Sequence, residues 1–109
     1  MVNAVVPVKK DKPATYGWLQ IDKRSAGELS KLAIKAPTAM AVIMYLVNRM
    51  SRTNAMVISQ GALAAELGTS REAINRAIKL LQEHNFIEII KTAGTSVYVV
   101  NTRVAWQGK

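Results

Sequence analysis

GTSREAINRAIKLL (residues 68–81) sets a glycine and two hydroxyl residues directly ahead of a helical pattern. Ile74, Ala77, Ile78 and Leu81 recur at the spacing that gathers them on one helix face. That stripe leaves Glu72, Asn75, Arg76 and Lys79 facing away, with Ser70 and Arg71 at the exposed start of the helix. Upstream, Ser59 caps a helical run whose inward set is Ala62, Leu63 and Leu67, and Gly68 supplies its left-handed stop. Thr69 or Ser70 then caps the next helix at once. One tight break and one polar, cationic face are what a helix-turn-helix needs to read DNA. They are also what any short helical hairpin needs for solubility, so the flanking sequence decides.

Downstream, Phe86–Lys91 and Ser96–Asn101 are β-rich runs joined by Thr92-Ala-Gly-Thr95, which reads as a four-residue hairpin loop. Upstream, residues 56–59 read as a brief strand and Pro37 as the first turn of a helix running to about Met50. That helix is apolar on nearly every side, through Met40, Val42, Ile43, Met44, Leu46, Val47 and Met50. Such a helix is expected to be buried all round, centrally in the domain or partly against another chain. Ser25-Ala-Gly-Glu28 carries the capping-box pattern of a further helix start. Tyr16–Ile21 and Val104–Trp106 read as short strands, and the aromatics Tyr16, Trp18, Tyr98 and Trp106 as core. Strand, helix, tight turn, helix, hairpin is the order of a winged helix. The expected fold is therefore α+β, mainly α: a winged helix-turn-helix with a C-terminal hairpin wing and an extra N-terminal strand and helix. A side chain larger than Ala64 would push the two helices apart, and a β-carbon at Gly68 would strain the turn. Residues 1–15, with Pro7 and Pro13 around Lys9, Lys10 and Lys12, read as a flexible basic arm, and residues 16–109 as the domain.

Composition narrows the function. The 109 residues carry a net charge of +8, which points to a polyanionic partner. The chain has no cysteine, so disulfides and thiolate metal sites are excluded. His84 is the sole histidine, the acids are scattered without ligand spacing, and no Gly-rich phosphate loop is present. Neither a metal, nor a cofactor, nor catalysis is expected. The longest apolar stretch, Ala39–Val47, is far short of the ~20 residues that span a bilayer, and the start lacks a signal pattern. A cytoplasmic protein without a membrane partner is expected.

On a winged helix, the N-terminal and outward positions of the second helix enter the major groove of double-stranded DNA. Arg76 is suited to a bidentate fork on guanine and Asn75 to adenine. Ser70 and Arg71 suit phosphates, helped by helix N-terminal amides. Glu72 departs from a purely basic face: it accepts from cytosine, filters against phosphate, or caps the helix. Lys79 completes the face. Lys91, Thr92, Thr95 and Ser96 sit where a wing follows the DNA backbone, and an ordinary polar turn explains them equally well. Lys9, Lys10 and Lys12 of the arm read either as further DNA contacts or as a solubilising tail.

Val97-Tyr-Val-Val-Asn101, followed by Trp106-Gln-Gly-Lys109, resembles the final strand and tail of the RepL family of plasmid replication and maintenance proteins. Ala41-Val-Ile-Met-Tyr-Leu-Val47, Arg52-Thr-Asn54 and Ser70-Arg-Glu-Ala-Ile-Asn75 fall in similar order, over roughly Tyr16 to Gly108. Thr102 stands where that family usually has proline. The resemblance implies binding at a plasmid origin or at the protein's own promoter, with host replication proteins supplying helicase and polymerase. A transcriptional repressor and autoregulator is the near alternative. A winged-helix protein-interaction module, with Arg76 and Lys79 pairing to an acidic partner, is the alternative of another class. A homodimer is a further expectation, because the apolar surface of Pro37–Met50 exceeds a single stripe. One small module also offers few base contacts.

Overall fold

The computed structural model describes residues 19–92 and 95–107. Chain order gives β1 (Leu19–Ile21), α1 (Lys23–Lys35), α2 (Pro37–Arg49), β2 (Ala55–Val57), α3 (Gln60–Leu67) and α4 (Arg71–Glu83). Three strands follow: β3 (Ile87–Thr92), β4 (Thr95–Val100) and β5 (Ala105–Gln107). The fold is α+β and winged-helix-like, with four helices among the described residues and two small antiparallel sheets. β2, β4 and β3 form one sheet in that order, and β1 pairs with β5 in the other.

Helix α2 is the central element, packing against α1, α3, α4 and β4. Its stripe of Val42, Ile43 and Leu46 is fully buried, and Ala39, Val47 and Met50 join it. The expectation of burial on every side is corrected on one flank, where Met44 is 41% exposed and Ala41 faces solvent. Pro37 does occupy the first turn, where no amide hydrogen is needed. From α4, Ile74, Ala77, Ile78 and Leu81 all enter the same core, as their spacing predicts. Tyr98 and Val100 of β4 close it from the sheet side, with Leu63 of α3 and Val104 after the sheet.

Two local readings shift. Helix α1 begins at Lys23, two residues before the serine of the expected capping box. Asp22 is the cap, its carboxylate accepting from the amides of Arg24 (3.1 Å) and Ser25 (3.2 Å). Ser25 is instead fully buried and donates to the carbonyl of Arg103 at 3.0 Å, while Glu28 pairs with the Arg103 guanidinium. The hairpin ladder extends to a Thr92–Thr95 pair, so the connection is residues 93 and 94 rather than four residues. β2 starts at Ala55, one residue earlier than expected, because it pairs with β4 from Val99 to Val97. Trp106, expected in the core, is 38% exposed on the two-stranded sheet. Tyr16, Trp18 and the arm lie outside the described residues.

Candidate nucleic-acid interface

The α3–α4 turn is built by one glycine and one serine. Gly68 lies at φ 67°, ψ 39°, and the Thr69 amide donates back to the Ala64 carbonyl at 3.0 Å. This closes the end of α3 with a left-handed residue, a conformation that costs L-residues roughly 1–2 kcal/mol. Ser70 then caps α4, its Oγ accepting from the Ala73 amide at 3.1 Å. Ala64 and Ile74 are both buried where the helices meet. Among the described residues, chain neighbours aside, no atom lies within 4 Å of the position a β-carbon at Gly68 would take, so the penalty there is backbone strain. Gly68→Val is expected to lose about 1–2 kcal/mol or more, and Gly68→Asn clearly less, since asparagine tolerates this region. Thermal melts of the two variants check the order; equal midpoints for valine and wild type would contradict it.

The outward face of α4 is the arc opposite its buried stripe. At 100° per residue, Asn75, Lys79, Glu72 and Arg76 fall within an arc of roughly 100°, and all four are exposed. Among the described residues, Arg71, Arg76 and Lys79 make no ion pair or side-chain hydrogen bond, so their donors are available to a ligand. Glu72, in the first turn, suits the positive end of the helix. Arg71 lies beside the first turn of α3, its Nε 3.9 Å from where a β-carbon on Gly61 would stand. This guanidinium therefore sits between the N-terminal ends of α3 and α4, both capped by serine. Two helix N-termini and one arginine make a setting for an anionic oxygen. The α3 contribution was missed in the sequence because it depends on how the helices cross.

The hairpin places its residues unequally. Lys91 and Thr95 are exposed, and Thr92 pairs with Thr95 in the ladder. Ser96 is only partly exposed and hydrogen-bonds the Tyr98 side chain, as does Gln60 at the start of α3. Burial raises the Tyr98 pKa, and these two hydrogen bonds oppose that shift in part. Through Tyr98 the hairpin is tied to the N-terminal end of α3. Lys9, Lys10 and Lys12 lie outside the described residues.

The far end of α4 is locked. Asn85 adopts φ 61°, and the Phe86 amide donates to the Leu81 carbonyl at 2.9 Å, repeating the geometry seen at Gly68. Asn101 Nδ2 donates to the Asn85 carbonyl (2.9 Å), and Arg103 Nη2 to the His84 carbonyl (3.0 Å). The same guanidinium stands 5.6 Å over the Phe86 ring and reaches Glu28 at 3.4 Å. The segment after β4 thus holds α4 and α1 together, fixing the direction in which α4 presents its outer face.

Residues 29–109 match the family described as Firmicute plasmid replication protein (RepL). The matched region runs from within α1 through both halves of the helix pair, the hairpin and β5. No curated protein and no solved structure matches the chain. With most of its length covered, from the central helix to the clasp behind α4, the chain belongs to the RepL family of plasmid replication proteins.

Proposed function

We propose that the protein binds double-stranded DNA sequence-specifically with α4 in the major groove, acting in plasmid replication initiation or maintenance in the cytoplasm. The observation that carries this reading is the outer arc of α4. Arg76, Lys79 and Asn75 are exposed there with Arg71 at its leading end, on a helix fixed at both termini. A rigid helix with unpaired forked donors suits base-edge recognition, whereas a merely solvated face has no need of fixed direction. Arg76 reads a base, Asn75 supports it, and Arg71 with Ser70 takes backbone phosphate between the two helix N-termini. Lys91 and Thr95 of the hairpin add backbone contacts. No catalytic step is assigned to the chain; helicase and polymerase come from the host. The same contacts would serve repression of the protein's own promoter.

Selection from a random duplex pool identifies the site, and two single substitutions then test the assignment. Arg76→Ala is expected to lose ~1–3 kcal/mol on the selected site and to relax preference at one base pair. Arg71→Ala is expected to weaken all duplexes alike and to flatten the salt dependence by about one unit of slope. Equal, sequence-independent losses would remove Arg76 from base reading, and a pool that yields no enriched sequence would remove specific recognition altogether. The length and symmetry of the selected site also report whether one copy binds or two. Most of the apolar surface of α2 that suggested a homodimer is spent inside the protomer, leaving Met44 as its large exposed aliphatic side chain.

A further inference from the structure

A second surface lies behind the helix pair. Between α1 and the end of α4 runs a groove of about 350 Å³, floored by Leu32, Ala36, Leu80 and Phe86 and rimmed by Lys31 and Lys35. It sits at the C-terminal end of α4, roughly 18 Å along the helix from Arg71 at 1.5 Å per residue. It is therefore separate from the surface assigned to DNA. The rim is cationic in effect: Glu28, its one carboxylate among the described residues, is paired with Arg103 at 3.4 Å. Lys31 and Lys35 are exposed and have no ion-pair partner among the described residues. The carbonyls of Leu32 and Leu80 already accept from the amides of Ala36 and His84, so these helix ends are partly satisfied. Ile34, outside the groove lining and on the other side of Lys31 and Lys35 from Leu32, stands 82% exposed.

We propose that this groove binds an acidic amphipathic segment of a partner protein, which seats a large apolar side chain on Leu32, Leu80 and Phe86. Its carboxylates pair with Lys31 and Lys35. Charge selects this occupant over the others. The chain's own residues 1–18 carry Lys9, Lys10 and Lys12 against Asp11, and a second copy carries +8, so both are repelled by the rim. A nucleic-acid backbone offers charge but no apolar anchor for a floor of leucine and phenylalanine. An acidic partner that engages this side while DNA occupies the other allows one protein to bring the two together.

The test uses the full chain and three fluorescein-labelled 15-residue peptides. One is amphipathic with a Leu/Phe stripe and glutamate flanks; the second has lysine for glutamate; the third has alanine for the Leu/Phe stripe. Anisotropy should show saturable binding of the first peptide and at least tenfold weaker binding of the other two. Its amide chemical-shift changes should centre on Leu32, Leu80 and Phe86. Lys31→Glu with Lys35→Glu should weaken the acidic peptide at least tenfold and leave duplex DNA affinity within twofold. The equally charged pair Lys23→Glu and Arg52→Glu, outside the groove lining, should leave peptide binding unchanged. The proposal is overturned if the acidic peptide fails to saturate, if both charge-reversed pairs weaken it equally, or if the shifts centre elsewhere. It is also overturned if sedimentation shows self-association that the Lys31/Lys35 reversal abolishes, since a second copy would then be the occupant.

Discussion

Asn54→Ala is expected to destabilise the protein by about 3–4 kcal/mol, a large share of what a domain of this size has. Asn54 is 2% exposed and lies at φ 62°. Its Nδ2 donates to the carbonyls of Val100 (3.0 Å) and Ala105 (2.8 Å), joining the end of β4 to the start of β5. Its own carbonyl accepts from the Val100 amide at 2.8 Å. Alanine removes both side-chain bonds, strips a partner from two buried acceptors at ~1–3 kcal/mol each, and adds about 1 kcal/mol of left-handed strain. Asn54→Gly relieves the strain alone and should recover about a third of the loss. Asn54→Asp keeps the shape but cannot donate, and should be at least as damaging as alanine. Urea unfolding of the three variants measures the order. An alanine variant within 1 kcal/mol of wild type would mean that the two carbonyls are satisfied in another way.

Asn54 also shows where local sequence reasoning stops. Gly68 is legible because glycine ahead of a new cap has one common use, and φ 67° agrees with it. Asn54 and Asn85 take the same backbone region, yet asparagine is equally at home in ordinary polar turns. Nothing within a few residues of either position reveals that its carbonyl or amide meets the segment after β4. The first helix repeats the lesson. Asp22 and Ser25 are both good caps three residues apart, and a pattern search favours the serine because Glu28 follows. The choice is made by a contact across 78 positions, where Arg103 takes both Ser25 and Glu28. Periodicity, by contrast, is a local property, and the buried stripe of α4 is read from it without error.

The candidate interface divides along the same line. Which residues of α4 point outward follows from the angle between successive residues, and Glu72, Asn75, Arg76 and Lys79 are exposed accordingly. Where Arg71 goes does not follow from its own helix, because its neighbour is Gly61 on another. Ser96 is a similar case: alternation puts it on the sheet's inner side, and the hydroxyl of buried Tyr98 engages it there. Winged-helix order says that a hairpin follows; it does not say which of its polar residues remain free.

Reversing Arg71, Arg76 and Lys79 together to glutamate is expected to lower affinity for any duplex by about 10³-fold or more at moderate salt. Three reversals of two charges each take the net charge from +8 to +2. Each removes a counterion-releasing contact and sets a like charge against phosphate, a juxtaposition that costs several kcal/mol in sum. The salt dependence should flatten by roughly 2.7 units of log–log slope if all three cations contact phosphate, and by less if Arg76 is spent on a base. All three positions are exposed and unpaired among the described residues, so the fold is expected to persist. The change at 76 puts a like charge four residues from Glu72, and that at 79 does so beside Glu83. Each such pair costs only about 0.2–0.5 kcal/mol. A triple alanine variant avoids both repulsions and should fall between wild type and the reversed protein in affinity. Circular dichroism and a thermal melt establish that each variant is folded before binding is measured. A folded, charge-reversed protein that holds duplex DNA within tenfold of wild type would place the DNA surface away from α4.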